Sequence, residues 1–392
     1  MKARASIAAA TVIGFLAVAP AAHAQSLTDV LTFLVTNQSV PTGSVERDRA
    51  AAEAAAVTIS RSLLSSLATL PVASSSSAFV YRLNPELGTV ERSTRTFGPF
   101  FLERAATGGR GQPSLGLTVQ HLTFTSLDGR NLANGSLVTT ANAFKDEKAP
   151  FDVDALTLHI AADVATLYGN VGVTNRMDVG FAAPVVALRI DGSRLDTYRG
   201  QAFRQAAASG RTIGLADLVV RAKYTLVDGD VAALATAVDV RLPTGRQEDL
   251  LGTGSTSYKF SAIGSLESGR WSAHANAGMS RGGLAPELSY GAALAVAATS
   301  TVSLVGEVLG RWIDGAGHLI DVTAAHPTLA GVNTIRLSGD TSNVHLVSFV
   351  PGFKWNLGNT WVLAGNVAIP LTTSGLTTRF TPFVGLDYTL GR

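Results

Sequence analysis

The sequence predicts an all-β protein: a transmembrane, antiparallel, up-and-down β-barrel of about 12 strands, preceded by a helical and hairpin segment that is either periplasmic or a plug. Three observations carry this. Alternating apolar and polar positions recur in segments of ten or more residues from position 113 onward, with turn residues between them. The chain is 46% hydrophobic with a mean hydropathy of +0.25, yet after the amino terminus no stretch approaches the roughly 18 uninterrupted apolar residues of a spanning helix. Its connections also divide into short and long sets.

The first 24 residues read as a secretory signal peptide. Lys2 and Arg4 precede a short apolar run, and Ala22-His23-Ala24 forms a cleavage pattern. Cleavage near Ala24 removes both net positive charges and leaves a formally neutral chain, so nucleic acid is not an expected partner. Cysteine is absent, which excludes disulfide staples and thiolate chemistry. The expected location is the bacterial outer membrane, with lipid, the barrel-assembly machinery and a small-molecule solute as partners.

Residues 25–112 form the second unit. Leu27, Val30, Leu31 and Leu34 share one side of a short amphipathic helix over 27–36. Ser44 is placed to cap a second helix reaching about residue 70, with Ala52, Ala56, Ile59, Leu63 and Leu67 as its apolar stripe. Pro71 and the serines at 74–77 end it. Residues 79–83 and 89–96 flank Asn84-Pro85-Glu86-Leu87-Gly88, a hairpin turn. This unit either packs as a periplasmic extension or inserts into the barrel mouth. Phe97-Gly98-Pro99-Phe100-Phe101 suits an anchor for such a plug, a path for hydrophobic solutes, or local packing at the rim. Gly108-Gly109-Arg110-Gly111 lacks the helix and lysine of a phosphate loop and reads as a flexible lead into the first strand.

The barrel unit, residues 113–392, divides into strands near 113–125, 152–173, 177–190, 213–227, 231–242, 255–267, 270–281, 286–298, 301–313, 344–357, 360–370 and 377–390. Within 152–173 the apolar phase set by Leu156, Leu158, Ile160, Ala162 and Val164 gives way to that of Leu167, Val171 and Val173, which calls for a bulge or hidden turn. Short connections fall at Asn175-Arg176, Asp228-Gly229-Asp230, Ser268-Gly269, Thr299-Ser300 and Gly358-Asn359. Long ones at 126–151, 191–212, 243–254 and 314–343 fall on the other side, matching periplasmic turns and extracellular loops. Trp271, Trp312, Trp355, Trp361, Tyr168, Tyr224, Tyr258 and Tyr388 are expected in interfacial girdles.

Three stretches carry a family resemblance: Gly214-x-x-Asp217 leading to Lys223-Tyr224, then Arg241-Leu242-Pro243-Thr244-Gly245, then Leu251-Gly252-Thr253-Gly254. Together with Val171-Gly172-Val173-Thr174-Asn175-Arg176-Met177-Asp178 they resemble the MetA-pathway phenol-degradation family over residues 165–390. The resemblance implies an outer-membrane barrel and passage of aromatic compounds. The segment before residue 113 departs from the family pattern.

With apolar faces toward lipid, the opposite faces direct Asp217, Arg221, Lys223, Asp239, Arg241, Lys259, Glu307, Arg311, Lys354, Arg379 and Asp387 into the lumen. Folding the 213–242 hairpin about Gly229 sets Asp217 nearly opposite Arg241 and Arg221 diagonal to Asp239. These charges either form a constriction that selects anionic or polar solutes or neutralise one another and fill a narrow barrel. The function expected is a channel or transporter for passive uptake or efflux of small molecules, including aromatic or hydrophobic ones. The alternatives are a non-conducting structural or surface-interaction barrel and, further off, a lipid hydrolase. For the last, Ser272, His274 and Asn276 share a strand face but point away from lipid, so no enzyme is expected. No cofactor or metal is expected: His121, His159, His318, His326 and His345 show no paired spacing with carboxylates.

Overall fold

The structure, a computed structural model, describes residues 25–36, 39–67, 74, 81–84, 89–92, 96–358 and 360–389; the signal peptide expected over 1–24 lies outside them. Two helices come first, α1 (Leu27–Thr36) and α2 (Val45–Leu67). The Asp29 N–H donates to Ser26 Oγ (3.1 Å), so Ser26 caps α1. A two-stranded hairpin follows, β1 (Tyr81–Asn84) with β2 (Thr89–Arg92); its turn, 85–88, lies outside the described residues.

The barrel wall is β3 (Pro113–Leu127), β6 (Asp152–Gly172), β7 (Met177–Tyr198), β8 (Gln201–Leu215) running on as β9 (Leu218–Asp228), β10 (Ala232–Leu242), β11 (Ser257–Ser268), β12 (Trp271–Gly282), β13 (Glu287–Ala297), β14 (Val302–Ile313), β17 (Val344–Leu357), β18 (Trp361–Pro370) and β20 (Thr381–Thr389). Among the described residues these make 12 antiparallel wall strands, closed where β20 pairs with β3. Closure leaves no free edge, which a lipid-embedded sheet requires. Leu115, Val119, Leu167, Phe181, Val220, Phe260, Leu294, Leu304 and Val384 are exposed outward, whereas Lys223, Glu307 and Lys354 are buried inward. That is a membrane barrel's arrangement, inverted relative to a soluble one.

Turns at 173–176, 229–231, 269–270 and 298–301, together with Gly358 at the end of β17, mark the lower end. Trp271, Trp355 and Trp361 lie outward near it, with the Trp361 and Tyr388 rings 4.5 Å apart. Tyr258, Tyr290 and Trp312 stand outward near the upper end, completing two girdles. Tyr168 does not join them: it points inward, buried, and donates a 2.5 Å hydrogen bond to Asp387. Gly116 makes room for it, since a Cβ there would stand 2.4 Å from the ring.

Two sequence expectations need correction at the upper end. Residues 191–212 are not a loop, because β7 and β8 stay paired, with one register shift at Arg194/Leu195, up to a tight turn at Arg199–Gly200, both in the left-handed region. Nor does β6 contain a bulge, since its register with β7 is unbroken from Asp152 to Gly172. The apolar phase switches because the surroundings switch. In the lower half Leu167 and Val171 face outward, while in the upper half Leu156, Leu158, Ile160 and Val164 face inward and pack on the helices.

The helices therefore lie against the inner wall at the upper end. Leu27, Val30, Leu31, Leu34, Ile59 and Leu63 share one core with Leu188 and Ile190 of β7 and with Leu250, Leu251, Leu319 and Leu337 of the upper connections. Those connections carry strands of their own: β4 (Arg130–Asn131) and β5 (Leu137–Phe144) after β3, and the hairpin β15 (Leu319–Ala325) with β16 (Val332–Gly339). β5 bridges β6 and β16, extending the wall past α2. A fully buried ion pair fixes the joint between the helices: Arg194 meets Asp154 and donates to the α1 carbonyls Leu34 O (3.3 Å) and Val35 O (3.1 Å). Asp154 accepts from the Ser39 N–H and hydroxyl.

A second node ties three upper connections together. Asp128 receives the N–H groups of Leu319 (2.8 Å) and Gly375 (2.7 Å) and contacts His318 Nδ1 at 2.6 Å. Partial burial works against the charged imidazole, but the Asp128 carboxylate outweighs it and raises the His318 pKa. A raised folded-state pKa stabilises below the unfolded value and loses that contribution as pH rises through the folded one. Protection of the Leu319 and Gly375 amides, corrected for the base-catalysed intrinsic rate, is therefore expected to fall as pH climbs above about 6.5, and His318→Asn to flatten the dependence. Replacing Arg194 by Met strands a buried carboxylate, at an expected cost of about 3–5 kcal/mol. Denaturant unfolding in detergent measures it, and adding Asp154→Leu is expected to restore much of the loss.

Candidate functional site

Residues 96–108 run through the lower half of the interior as an extended strap with no sheet partner. Each buried backbone N–H and C=O there needs a hydrogen bond, and the wall's own backbone is spent on the ring. Side chains of the inner face supply them. The Phe97 N–H donates to Ser303 Oγ (3.0 Å), and Lys354 donates to Pro99 O (2.7 Å). Glu307 accepts from the N–H groups of Phe100, Phe101 (3.2 Å) and Leu102 (3.3 Å). Lys223 donates to Arg104 O (3.1 Å) and Ala106 O (2.9 Å), Thr225 to Ala105 O (2.6 Å), while the Ala105 N–H donates to Ser265 (2.9 Å). Asp178 accepts the Gly108 N–H at 3.1 Å. The chain then passes Gly172, where a Cβ would stand 1.9 Å from Gly109 O, and enters β3.

The candidate lumen residues thus separate by role. Glu307, Lys354 and Lys223 bind the strap backbone. Arg221 pairs with Asp239 (2.5 and 2.8 Å) and with Glu103 of the strap. Arg311 pairs with Glu287 (2.6 Å) and donates to Ser65 O of α2 (3.0 Å). Asp387 holds Tyr168. Asp217 serves a connection: it accepts from the Gly245 N–H (3.0 Å) and from the Thr253 N–H and hydroxyl (2.8 Å each). The Arg-Leu-Pro-Thr-Gly and Leu-Gly-Thr-Gly motifs are the two sides of that clamp, with Gly245 and Gly252 in contact. Arg379 does not reach the interior, because the last strand breaks between β19 (Leu376–Thr378) and β20 and leaves it exposed.

The hairpin register also differs from expectation. The turn centres between Asp230 and Val231, pairing Asp228 with Ala233, and after a shift at Leu234/Ala235 Arg221 stands directly opposite Asp239 and Val219 opposite Arg241, leaving Asp217 beyond the paired stretch. Ser272 and His274 are buried beneath the strap: Thr96 Oγ1 donates to Ser272 Oγ (3.0 Å), and His274 bridges Ser272 (3.2 Å) and Ser265 (2.9 Å). Asn276, with its amide nitrogen toward Glu103 O (3.0 Å), holds the strap as well. Two histidines do meet carboxylates, His121 with Asp163 (2.6 Å) and His318 with Asp128, through contacts too distant in sequence for spacing to reveal. Among the described residues no group of three potential metal ligands occurs.

Between the strap and α2 a chamber of about 160 Å³ remains, bounded by Phe101 and Glu103 on one side, Ser65 on another, and the inner faces of β9 to β14. Arg241 and Lys259 line it beside the Arg221–Asp239 and Arg311–Glu287 pairs.

No protein-family model and no curated protein matches the chain. Among solved structures it is similar to an outer membrane channel from Pseudomonas putida F1 (15% identity, TM-score 0.49, covering 73% of this chain and 98% of that one). It is also similar to the KdgM porin in complex with disordered oligogalacturonate (7%, 0.35, 69% and 99%) and to the translocator domain of the autotransporter NalP from Neisseria meningitidis (10%, 0.38, 71% and 88%). At these values neither the fold nor the activity of this chain rests on them.

Glu307 tests the strap's dependence on wall side chains. In Glu307→Leu three backbone donors lose their acceptor, at about 1–3 kcal/mol each. Amide exchange at Phe100, Phe101 and Leu102 is expected to accelerate at least about tenfold, with the barrel still heat-modifiable on gels. Unchanged exchange would show that the strap is held otherwise.

Proposed function

We propose that this chain is an outer-membrane channel or transporter for small molecules, with residues 113–392 as the barrel, residues 25–112 as its plug and residues 1–24 as a removed signal peptide. The observation that carries the reading is the occupied interior: a closed barrel, apolar outside, contains a separately anchored helical part, an extended strap and a charged chamber between them. A barrel needed only as a wall would not require that chamber. The plug sets the closed state, and release of the strap opens the path. The upper connections face the cell exterior, and the barrel-assembly machinery inserts the chain. Passage is passive. Phe101 beside the chamber accommodates the aromatic or hydrophobic solutes implied by the motif resemblance.

The number of wall side chains that hold the strap favours the competing reading, a barrel that never conducts. A disulfide separates the two, and the lack of native cysteine makes it clean. Thr96 Oγ1 and Ser272 Oγ lie 3.0 Å apart, so a Thr96→Cys/Ser272→Cys pair is placed to bond. In planar bilayers the reduced double variant is expected to show stepwise conductance, and oxidation to cut it at least about tenfold, reversibly with dithiothreitol. Conductance indifferent to oxidation would remove the gating role. Its absence in both wild type and reduced variant would establish the non-conducting barrel.

A further inference from the structure

We infer that the chamber is a binding site for a small organic monoanion, a monocarboxylate carried on a compact apolar body. The charges and the apolar surface that line the chamber together point to this. Lys259 lies directly opposite Asp239 across the β10–β11 pair, but that carboxylate is engaged by Arg221. Glu287, the other wall carboxylate of the chamber, is engaged by Arg311. Among the described residues Lys259 makes no hydrogen bond and no ion pair, although it lines an interior space. An ammonium group largely removed from bulk water, with the neighbouring carboxylates already engaged by arginines, has no charged hydrogen-bond partner of its own, and a carboxylate on the ligand supplies one. Arg241 on the neighbouring strand lines the same space, adding a second positive charge.

The rest of the lining fixes the other half of the ligand. Phe101, Leu102, Leu284 and Leu309 present apolar surface into the chamber. A cavity of about 150 Å³ holds a molecule the size of benzene, so about 160 Å³ matches a ligand body of one six-membered ring. Thr253 and Leu284, in the upper connections, border the space, which places entry at the upper end while the strap blocks the lower. This deepens the channel reading by naming the solute's chemistry and rests on that reading for its purpose. Binding itself does not depend on conduction.

Calorimetry on the purified, heat-modifiable protein in detergent tests it with three probes of one shape: cyclohexanecarboxylate, cyclohexylmethanol and cyclohexylmethylamine. The carboxylate is expected to bind, the alcohol about tenfold more weakly, and the amine not at all. Lys259→Met is expected to weaken the carboxylate about tenfold and leave the alcohol unchanged, Lys259→Arg to restore most of the affinity, and Lys145→Met, on an exposed upper connection, to bind as wild type. Failure of the folded wild type to bind the carboxylate, equal binding of the amine, or undiminished carboxylate binding by folded Lys259→Met would each overturn the proposal. Bilayer conductance of the same preparations tells that failure apart from failure of the channel reading.

Discussion

An extended peptide inside a closed barrel must send most of its backbone hydrogen bonds to side chains, and residues 96–108, apart from Phe100 O, which accepts the Ser74 N–H (2.9 Å), impose that constraint on the inner wall. Every strand of the ring already spends its N–H and C=O groups on its two neighbours. The wall therefore answers the strap with Glu307 and Asp178 as acceptors, Lys223, Lys354 and Thr225 as donors, and Ser265 and Ser303 in the gaps. Charges facing a lumen commonly suggest conduction; most of these are engaged by a second piece of the same chain.

The upper half obeys the opposite rule for the same reason. Helices satisfy their own backbone, so α1 and α2 ask the wall for apolar contact and very little else. Leu156, Leu158, Ile160, Leu188 and Ile190 provide it. The exceptions are Ser65 O near the end of α2, met by Arg311, and the joint between the helices, where the Leu34 and Val35 carbonyls are left over and Arg194 is buried to meet them. One strand, β6, thus carries two polarity patterns in unbroken register, each matched to what lies inside at that height. The chamber sits where the two regimes meet, which is why it holds both charges and apolar surface.

Much of this was legible in the sequence, and the failures are specific. Alternation located the 12 wall strands because lipid enforces it from outside. It failed above the bilayer, where Leu195 and Phe203 of β7 and β8 no longer answer to lipid and the 191–212 stretch read as loop. The inward set was legible too, from Asp217 to Asp387, with Arg379 lost to a break before the last strand. What each inward charge does was not, because the partners of Lys223, Glu307 and Lys354 lie on the strap, some 117 to 255 residues away in the chain. Asp217 shows the limit well. Its spacing to Arg241 looked like a cross-strand pair, whereas its partners are the amides of Gly245 and Thr253, reached because the turn centres between Asp230 and Val231 rather than at Gly229.

The seam between β20 and β3 joins the last wall strand to the first, with the amino-terminal segment already behind β3 on the inner side. Such a ring is better described as wrapped than as filled. Threading two helices and the Arg194–Asp154 joint through a completed wall would strip their polar groups of partners at every step, whereas a sheet that curls around them meets each partner as it arrives. The strap then acts as a mandrel. Its ladder of side-chain contacts across β7, β9, β11, β14 and β17 helps set the curvature at which the two outer strands meet.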